Sequence, residues 1–463
     1  MENNIFKNIK LGDYQEQELD TKISAFEIFK RLYPYFESIF LLESLGDDPE
    51  GIGAGGKFNR YSYVGFEPDF TVCAKNADLL VDGKLFKTKN PYEEISKLPK
   101  VMNKISGYCG GLVGYITYEA AKYFEKAFVG HKECEFPDFE FGLFTDGLKF
   151  DKKTRKVTYF HYGNSKLIKV MKLINHSGKL DDFSYKKIGE GLDATEHAGM
   201  VKEAIKHIKR GDIFQVVISQ KSHFRLEGDK RRIYAVLRQI NPSPYMFYFK
   251  FKDREIITAS PELLISVRGN NIEHFGTLAG TIRRGETTKQ DKDFVHKLQN
   301  DVKERAEHLM LVDLSRNDLG RICNFGTVSV SNLAGVKKFS HVQHLSTEIR
   351  GKLKKGIDAF SALAACFPAG TLSGAPKIEA MKIISSLEGQ SRGPYGGVGG
   401  YFSFNDEAML AITIRSIFIN RNNAYTQTGS GIVLDSIPER EFQEIMNKQK
   451  AIEEALRQAQ GKQ

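Results

Sequence analysis

The chain has 463 residues, of which 41% are hydrophobic and 27% are charged. This is the composition of an ordinary folded protein with two domains or one large core, and it excludes a disordered or fibrous chain. The net charge of +9 is spread along the sequence, so nucleic-acid binding is only weakly supported.

The sequence contains neither a basic-then-apolar leader nor a run of about 18 apolar residues, and this predicts a cytoplasmic protein. Its five cysteines are scattered and never form a Cys-x-x-Cys pair. We therefore expect reduced thiols, without a disulfide framework or a zinc site.

The first part of the chain predicts short strands after a polar lead-in of about 20 residues. A short helix at 25–32 should be ended by Pro34, and the polar segment 175–195 is the best linker candidate. The strand-like runs are 39–44, 59–65, 70–74 and 107–118, with a hairpin at 141–162.

The C-terminal part mixes strands and helices in an α+β pattern rather than in regular βαβ units. A helix at 196–210 should end at Gly211, because glycine favours the C-cap. The other expected elements are strands at 214–220, 245–251, 256–259, 263–267 and 408–418, and helices at 233–239, 290–314, 359–365, 376–387 and 439–459.

Two pairs of glutamates have helical spacing. Glu304 and Glu307 are three residues apart in the segment 301–320, and Glu441 and Glu444 repeat the spacing near the C-terminus. Like charges on one helix face repel each other unless a cation neutralises them, and carboxylates are ligands that Mg²⁺ prefers. The alternative is that both helices carry an ordinary solvated face.

Two short motifs suggest other functions. The glycine-rich segment 51–58 matches part of a phosphate-binding loop, but Phe58 stands where the loop needs Ser or Thr, and no buried strand precedes it. Cys109 lies in a Gly-x-Cys-x-Gly pattern, but the first His-x-Glu follows too closely for a glutaminase domain. We reject nucleotide binding and glutaminase activity for these segments.

Several longer segments resemble one family when they are taken together. They are 211–217 (GDIFQVV), 301–318, 368–377 (PAGTLSGAPK), 393–397 (GPYGG) and 429–444, which begins GSGIV. This set is similar to the chorismate-utilising enzymes, and most of all to the large, synthase subunits of anthranilate synthases. The resemblance covers nearly the whole chain.

The resemblance implies a fold, a division of the chain and a reaction. The expected fold is α+β, with large antiparallel or mixed β-sheets packed as a sandwich and helices outside. Residues 1–185 would form a regulatory portion and 186–463 a catalytic portion. The expected reaction converts chorismate and ammonia to anthranilate and pyruvate with Mg²⁺, in the first step of tryptophan biosynthesis.

By the same resemblance, the four glutamates belong to the magnesium site. Glu307 and Glu444 would be direct ligands, whereas Glu304 and Glu441 would act mostly through bound water. The ion would neutralise charge on the substrate and draw electrons as ammonia displaces the ring hydroxyl.

The other site residues are also carried over from the family. Each one also has a structural interpretation, and for Lys377 a structural ion pair is an equally good explanation. The implied roles are binding of the enolpyruvyl carboxylate by Arg415 and Tyr395, backbone contacts to the ring carboxylate at Gly429 and Gly431, proton donation by His344, ring contact by Thr371, and positive charge from Lys377.

Two positions separate the branches of the family. Where isochorismate and salicylate enzymes carry a lysine that activates water, this chain has Gln215, which favours ammonia over water. Where many aminodeoxychorismate synthases carry a nucleophilic lysine, it has Ala279. Anthranilate formation is therefore expected, with 4-amino-4-deoxychorismate formation for folate as the alternative.

The family also implies a partner and an inhibitor. A separate glutamine amidotransferase subunit would supply ammonia, in a heterotetramer. Tryptophan would bind a second site and inhibit the enzyme, although part of that site reads simply as a double-proline turn before a strand. The implied inhibitor-binding residues are Leu42, Glu43, Ser44, Pro242, Ser243, Pro244, Tyr245 and Met246.

Overall fold

The computed structural model describes residues 4–45, 60–101, 105–128, 130–131, 133–275, 277–338 and 342–461. The glycine-rich segment 51–58 lies outside these ranges. No helix in the described part of the chain combines the length and the hydropathy needed to cross a membrane.

Strands make up most of the architecture. In chain order they are β1 (Tyr14–Leu19), β2 (Ser38–Glu43), β3 (Tyr61–Phe66), β4 (Phe70–Lys75), β5 (Asp78–Val81), β6 (Lys84–Phe86), β7 (Gly111–Ile116), β8 (Phe139–Phe144), β9 (Asp146–Asp151), β10 (Val157–Tyr162), β11 (Phe183–Glu190), β12 (Gln215–Gly228), β13 (Tyr245–Phe251), β14 (Arg254–Ser260), β15 (Leu263–Arg268), β16 (Asn271–His274), β17 (Ala279–Arg283), β18 (Ser329–Lys338), β19 (Val342–Lys352), β20 (Gly374–Ala375), β21 (Val398–Ser403), β22 (Ala408–Ile412), β23 (Ser416–Asn420) and β24 (Asn423–Ile432).

Helices connect and cover the strands. They are α1 (Ala25–Leu32), α2 (Pro91–Ile95), α3 (Leu167–Leu173), α4 (Ala194–Arg210), α5 (Arg231–Ile240), α6 (Thr288–Asn300), α7 (Val302–Ile322), α8 (Ala359–Cys366), α9 (Lys377–Glu388) and α10 (Pro438–Gln460).

The strands form two large antiparallel sheets that pack as a sandwich. The first sheet runs β1-β10-β9-β3-β2-β13-β14-β23-β24-β12-β11, with β20 beside β12. The second runs β17-β19-β16-β15-β22-β21-β7-β8-β4-β5-β6, with β18 beside β19. The predicted α+β sandwich with outer helices is confirmed.

Strand β13 shows how the sandwich organises its core. Phe247 and Phe249 point into the core between the two sheets, whereas Met246 and Tyr248 pack in a second core under the helices α1 and α5. Since both faces of the strand are covered, its sequence is almost continuously apolar, as expected for a strand buried on both sides.

Both sheets take strands from both portions of the chain. In the first sheet β2 pairs with β13, and in the second β7 pairs with β21. The portions 1–185 and 186–463 therefore share one sandwich, and the regulatory and catalytic roles assigned to them stay predictions.

Two segments that were expected to be irregular contain edge strands. The polar lead-in includes β1, which pairs with β10, and the linker candidate includes β11, which pairs with β12. The prediction missed both because their stability comes from a partner strand and not from local hydrophobicity.

Two elements that were expected to be continuous are interrupted. The predicted helix 290–314 is broken at Asp301, whose side chain accepts hydrogen bonds from the backbone N–H groups of Lys303 and Glu304 and so begins α7. The predicted strand 408–418 is divided between the two sheets as β22 and β23.

Candidate active site

A cavity of ≈ 300 Å³ lies between the ends of the two sheets, and it is bounded by α7 and α10. Strands β12 and β24 of the first sheet and residues of β17 and β19 of the second form its walls. The predicted residues that line it are Gln215, Glu304, Glu307, His344, Thr371, Tyr395, Arg415, Gly429, Gly431, Glu441 and Glu444.

Lys377 does not line this cavity. Its ammonium forms a 2.7 Å ion pair with Asp318 and donates to the backbone oxygen of Cys366 at 3.0 Å. Lys377 therefore joins the start of α9 to α7, which is the structural ion pair that the sequence left open.

The two glutamate pairs face each other across the cavity, and their charges interact. Burial, followed by the negative charge of Glu304 and, to a smaller extent, of Glu441 and Glu444, raises the pKa of Glu307 to about 7, although Lys303 lowers it. Burial also raises the pKa of Glu304 and of Glu441, with added repulsion from Glu444 in both cases. Four carboxylates in a partly enclosed space therefore lack sufficient positive charge.

Two lysines offset part of this negative charge. The ammonium of Lys448 lies 2.7 Å from a carboxylate oxygen of Glu444 and donates to the backbone oxygen of Gly429 at 2.9 Å. Lys303 is more distant, at 3.9 Å from Glu307. Both lysines line the cavity.

The glutamates suit a hard dication such as Mg²⁺, because it takes oxygen ligands and is commonly held by one or two carboxylates, water and an anionic substrate. Among the described residues, no group of three or more His, Cys, Asp or Glu side chains could hold an ion as a ready-made cage. The donor chemistry therefore fits an ion whose coordination the substrate completes.

Arg415 occupies the point where the chain passes from β22 to β23. Its φ of +50° is unusual for a residue with a Cβ, and such backbone strain is often found at functional sites. Burial lowers the pKa of Arg415, and in the described part of the chain its guanidinium forms no ion pair. The cavity thus encloses a cation that no carboxylate among the described residues holds in an ion pair.

Gln215, at the start of β12, packs directly against Gly431 of β24. A Cβ at position 431 would lie 2.4 Å from the Gln215 amide nitrogen, so the glycine makes room for this side chain. The amide oxygen Oε1 of Gln215 is buried and accepts no hydrogen bond within the described ranges. It is available to a donor in the cavity.

Glu262 also lines the cavity, although it was not among the predicted site residues. Its Oε1 accepts from the Thr371 hydroxyl at 3.1 Å and from the Leu278 backbone N–H at 3.4 Å. Burial raises its pKa to about 8, although Arg415 lowers it. The signal in the sequence was an acidic residue placed between the two apolar runs that became β14 and β15.

His344 contacts the backbone of β17 through Nδ1, which lies 2.9 Å from the oxygen of Gly280. Because a carbonyl oxygen only accepts, Nδ1 carries the proton, and Nε2 is left as an acceptor. Burial, with help from the charge of Arg415, lowers the pKa of His344 to about 3. The imidazole is therefore neutral at ordinary pH.

A second, much smaller cavity of ≈ 30 Å³ lies in the core between the sheets. It is lined by six of the predicted inhibitor residues: Leu42, Glu43, Ser44, Pro244, Tyr245 and Met246. Pro242 and Ser243 do not line it, although the backbone oxygen of Ser243 accepts from Leu45 at 2.9 Å. The Glu43 carboxylate is bound by Arg238 and Tyr234.

Comparison with known proteins identifies the family. The family profile described as "chorismate binding enzyme" matches residues 50–454. The chain therefore belongs to the chorismate-binding enzymes.

Relatives within this family are similar over almost the whole chain. Anthranilate synthase component 1 of Methanothermobacter thermautotrophicus is 43% identical over 97% of this chain and 95% of its own. The crystal structure of anthranilate synthase component I from Streptococcus pneumoniae superposes with a TM-score of 0.77, at 33% identity, over 85% of this chain and 92% of that one. The menaquinone-specific isochorismate synthase of Escherichia coli shares the fold, with a TM-score of 0.73 at 19% identity over 97% of this chain and 96% of its own.

The raised pKa of Glu262 makes a prediction about stability. Ionisation of a buried carboxyl opposes folding, so the free energy of unfolding should fall as pH rises from about 4.5, the ordinary value, to about 8, and then level off. The variant Glu262→Gln keeps an acceptor for Thr371 and Leu278 but cannot ionise. Its stability relative to the wild type should increase over this range by a few kcal/mol, since one pKa unit corresponds to about 1.4 kcal/mol.

Thermal or urea unfolding of both proteins at pH 5, 6, 7, 8 and 9 measures this difference. If the difference in unfolding free energy between Glu262→Gln and the wild type stays constant from pH 5 to pH 9, the pKa of Glu262 is not raised in the folded protein.

Proposed function

We propose that this protein converts chorismate and ammonia to anthranilate and pyruvate in tryptophan biosynthesis, and that Mg²⁺ is required. Similarity to enzymes called anthranilate synthase component 1 over 97% of the chain supports this function. The observation that carries the proposal is a cavity that holds together a set of repelling carboxylates and a guanidinium without an ion pair to any described residue. If a substrate with two carboxylates binds together with a dication, one substrate carboxylate can pair with the guanidinium, and the dication can neutralise the glutamates.

Arg415 and Tyr395 are proposed to hold the enolpyruvyl carboxylate of chorismate. A guanidinium binds a carboxylate through two parallel hydrogen bonds, which fixes both position and orientation. The ring carboxylate would then lie toward Gly429 and Gly431, where the absence of side chains lets the backbone approach closely.

Glu307 and Glu444 are proposed as direct ligands of Mg²⁺, and Glu304 and Glu441 as groups that bind its water. When bound, the ion neutralises carboxylate charge and withdraws electrons from the substrate ring. The protein contributes the carboxylates and orients the substrate beside them.

Gln215 is proposed to receive ammonia. Its Oε1, which accepts no hydrogen bond from the described residues, can accept an N–H of ammonia and hold the nitrogen lone pair toward the ring. An amide is not a base, so it cannot activate water as a lysine at this position would. The residue therefore supports amination over hydration.

Glu262 is proposed to donate the proton to the departing ring hydroxyl. A carboxyl with a pKa of about 8 is protonated at neutral pH, and the hydroxyl can then leave as water while the C–N bond forms. Loss of the proton from the ring carbon that carries the new nitrogen then expels the enolpyruvyl group and yields the aromatic ring, and the methylene carbon of the released enolpyruvate takes up a proton to give pyruvate. His344 was expected to donate this proton, but a neutral ring with Nδ1 bound to Gly280 is less suited to the role than Glu262.

A separate glutaminase subunit is proposed to supply the ammonia. The relatives are called component 1, a name that implies a second component. In this chain Cys109 is fully buried and hydrogen-bonded to the hydroxyl of Ser403. Its thiol therefore could not reach glutamine as a nucleophile.

Tryptophan is proposed to inhibit the enzyme by entering the small cavity between the sheets. A volume of ≈ 30 Å³ holds only about two water molecules, so an indole would have to widen the cavity. The widening would move β22, whose residues Met409 and Ala411 line the cavity and which leads directly to Arg415. A shift of β22 would then displace Arg415 and weaken the binding of chorismate.

Incubation of the purified chain with chorismate, Mg²⁺ and ammonium, without glutamine, tests the function. We expect anthranilate and pyruvate in equal amounts. Aminodeoxychorismate without pyruvate would support the alternative branch, and no turnover would contradict the proposal.

The role of Arg415 has a matched control in the same assay. Arg415→Met should raise the KM for chorismate by between about 10-fold and about 150-fold, since a charge-assisted hydrogen bond contributes about 1.5–3 kcal/mol. Arg421→Met, at an exposed residue that pairs with Asp253 on the surface, should leave the KM unchanged.

The feedback proposal is tested by Ser44→Phe. A phenyl ring at position 44 would take up the space that an indole has to enter, so the inhibition constant for tryptophan should rise at least tenfold. Wild-type sensitivity to tryptophan in an active Ser44→Phe enzyme would remove the claim.

A further inference from the structure

Arg392 and Glu388 form an ion pair in the layer behind the candidate active site. Their side chains are 1% and 2% exposed, and neither residue lines the cavity. Two parallel contacts join them, at 2.6 Å (Nη2 to Oε1) and 2.8 Å (Nε to Oε2). Such a bidentate pair fixes the plane of the guanidinium.

The other hydrogen bonds of the Arg392 guanidinium go to the backbone of the cavity wall. Nη1 donates to the oxygen of Leu372 at 2.5 Å, and Nη2 donates to the oxygen of Val217 at 2.8 Å. Leu372 follows Thr371 in the turn 370–372, and Val217 lies two residues after Gln215 on β12. One side chain thus fixes the turn that carries Thr371 to the strand that carries Gln215.

Glu388 extends the same network to β24. Its Oε1 accepts from the backbone N–H and the hydroxyl of Ser219, at 2.9 Å and 2.7 Å. The Ser219 hydroxyl in turn accepts from the amide of Gln427 at 2.8 Å. Gln427 lines the cavity, so the ion pair also fixes this side chain.

The backbone of Arg392 begins the loop that leads to Tyr395. The backbone N–H groups of Arg392 and Gly393 donate to the two carboxylate oxygens of Glu119, at 2.6 Å and 2.9 Å. The guanidinium lies 5.7 Å from the centre of the Tyr395 ring. Arg392 therefore also helps to set the position of Tyr395.

We propose that Arg392, held in place by Glu388, is a positioning residue that sets the spacing between Thr371, Gln215 and Tyr395 in the cavity. Stability alone does not explain the pair, because well-packed apolar residues of similar volume are often as stabilising as a buried ion pair. A lysine could pair with Glu388, but it lacks the planar fork that reaches two carbonyl oxygens at once. The inference rests on the proposed function, since it concerns the binding of chorismate.

Arg392→Lys tests the role, and Arg231→Lys provides the matched control. Arg231 is a second buried arginine, bidentate to Asp229 at 2.7 Å and 2.6 Å, and it donates to the backbone oxygen of Lys30 at 2.7 Å. It does not line the cavity. The two substitutions remove the same chemistry from two places in one fold.

We expect Arg392→Lys to raise the KM for chorismate at least fivefold and to lower kcat per folded molecule at least tenfold. Arg231→Lys should change both constants less than twofold, even if it lowers the unfolding temperature by as many degrees as Arg392→Lys does. Wild-type constants in Arg392→Lys, or an equal rise in KM in Arg231→Lys, would overturn the inference.

Two further measurements keep the inference testable. If Arg392→Lys does not fold, Glu388→Gln, which keeps the shape and one hydrogen-bond acceptor, should still raise the KM at least threefold, and an unchanged KM would overturn the inference. If the wild type makes no anthranilate, the proposed function fails. Titration calorimetry of chorismate with Mg²⁺ then compares the Kd of the two arginine variants, and weaker binding in Arg392→Lys alone would still support the positioning role.

Discussion

Charge that the protein does not neutralise is the constraint on which this site depends. Arg415 is enclosed without an ion pair in the described part of the chain, and the pKa of three of the four glutamates on α7 and α10 is raised by burial and by neighbouring carboxylates. An uncompensated buried charge costs about 3–5 kcal/mol. The arrangement is explained if the missing charges belong to a dianionic substrate and a dication.

The fold makes this arrangement stable by distributing it over distant parts of the chain. Helices α7 and α10 bring glutamates together that are more than a hundred residues apart, and the passage from β22 to β23 between the sheets presents Arg415. Behind the cavity, the Arg392–Glu388 pair ties β12, β24 and the turn 370–372 together. At the cavity Arg415 has a strained backbone, whereas the layer behind it is held by a network of buried hydrogen bonds.

Local pattern predicted most of the regular structure. The apolar strand β13 and the helix α4, with Gly211 as its left-handed C-cap, carry their signals within a few residues. Strands β1 and β11 have no such local signal, because the strands that they pair with lie far away in the sequence. The break at Asp301 was missed because a capping aspartate within a continuous helical pattern looks like any other helix residue.

The sequence predicted some residues of the candidate site and not others. The spacing of Glu304 and Glu307, repeated by Glu441 and Glu444, suggested a cation site on two helices, and the resemblance to the family favoured this site over a solvated helix face. Glu262 and Arg392 have no motif of their own, because a raised pKa and a set of converging carbonyl oxygens arise only when the chain is folded.

Titration calorimetry of Mg²⁺ and chorismate, each in the absence and the presence of the other, tests the central claim most directly. If the carboxylates and Arg415 are completed together by the ion and the substrate, saturating Mg²⁺ should tighten chorismate binding at least tenfold, and chorismate should tighten Mg²⁺ binding by the same factor. A Kd for chorismate that is the same with and without Mg²⁺ would contradict it.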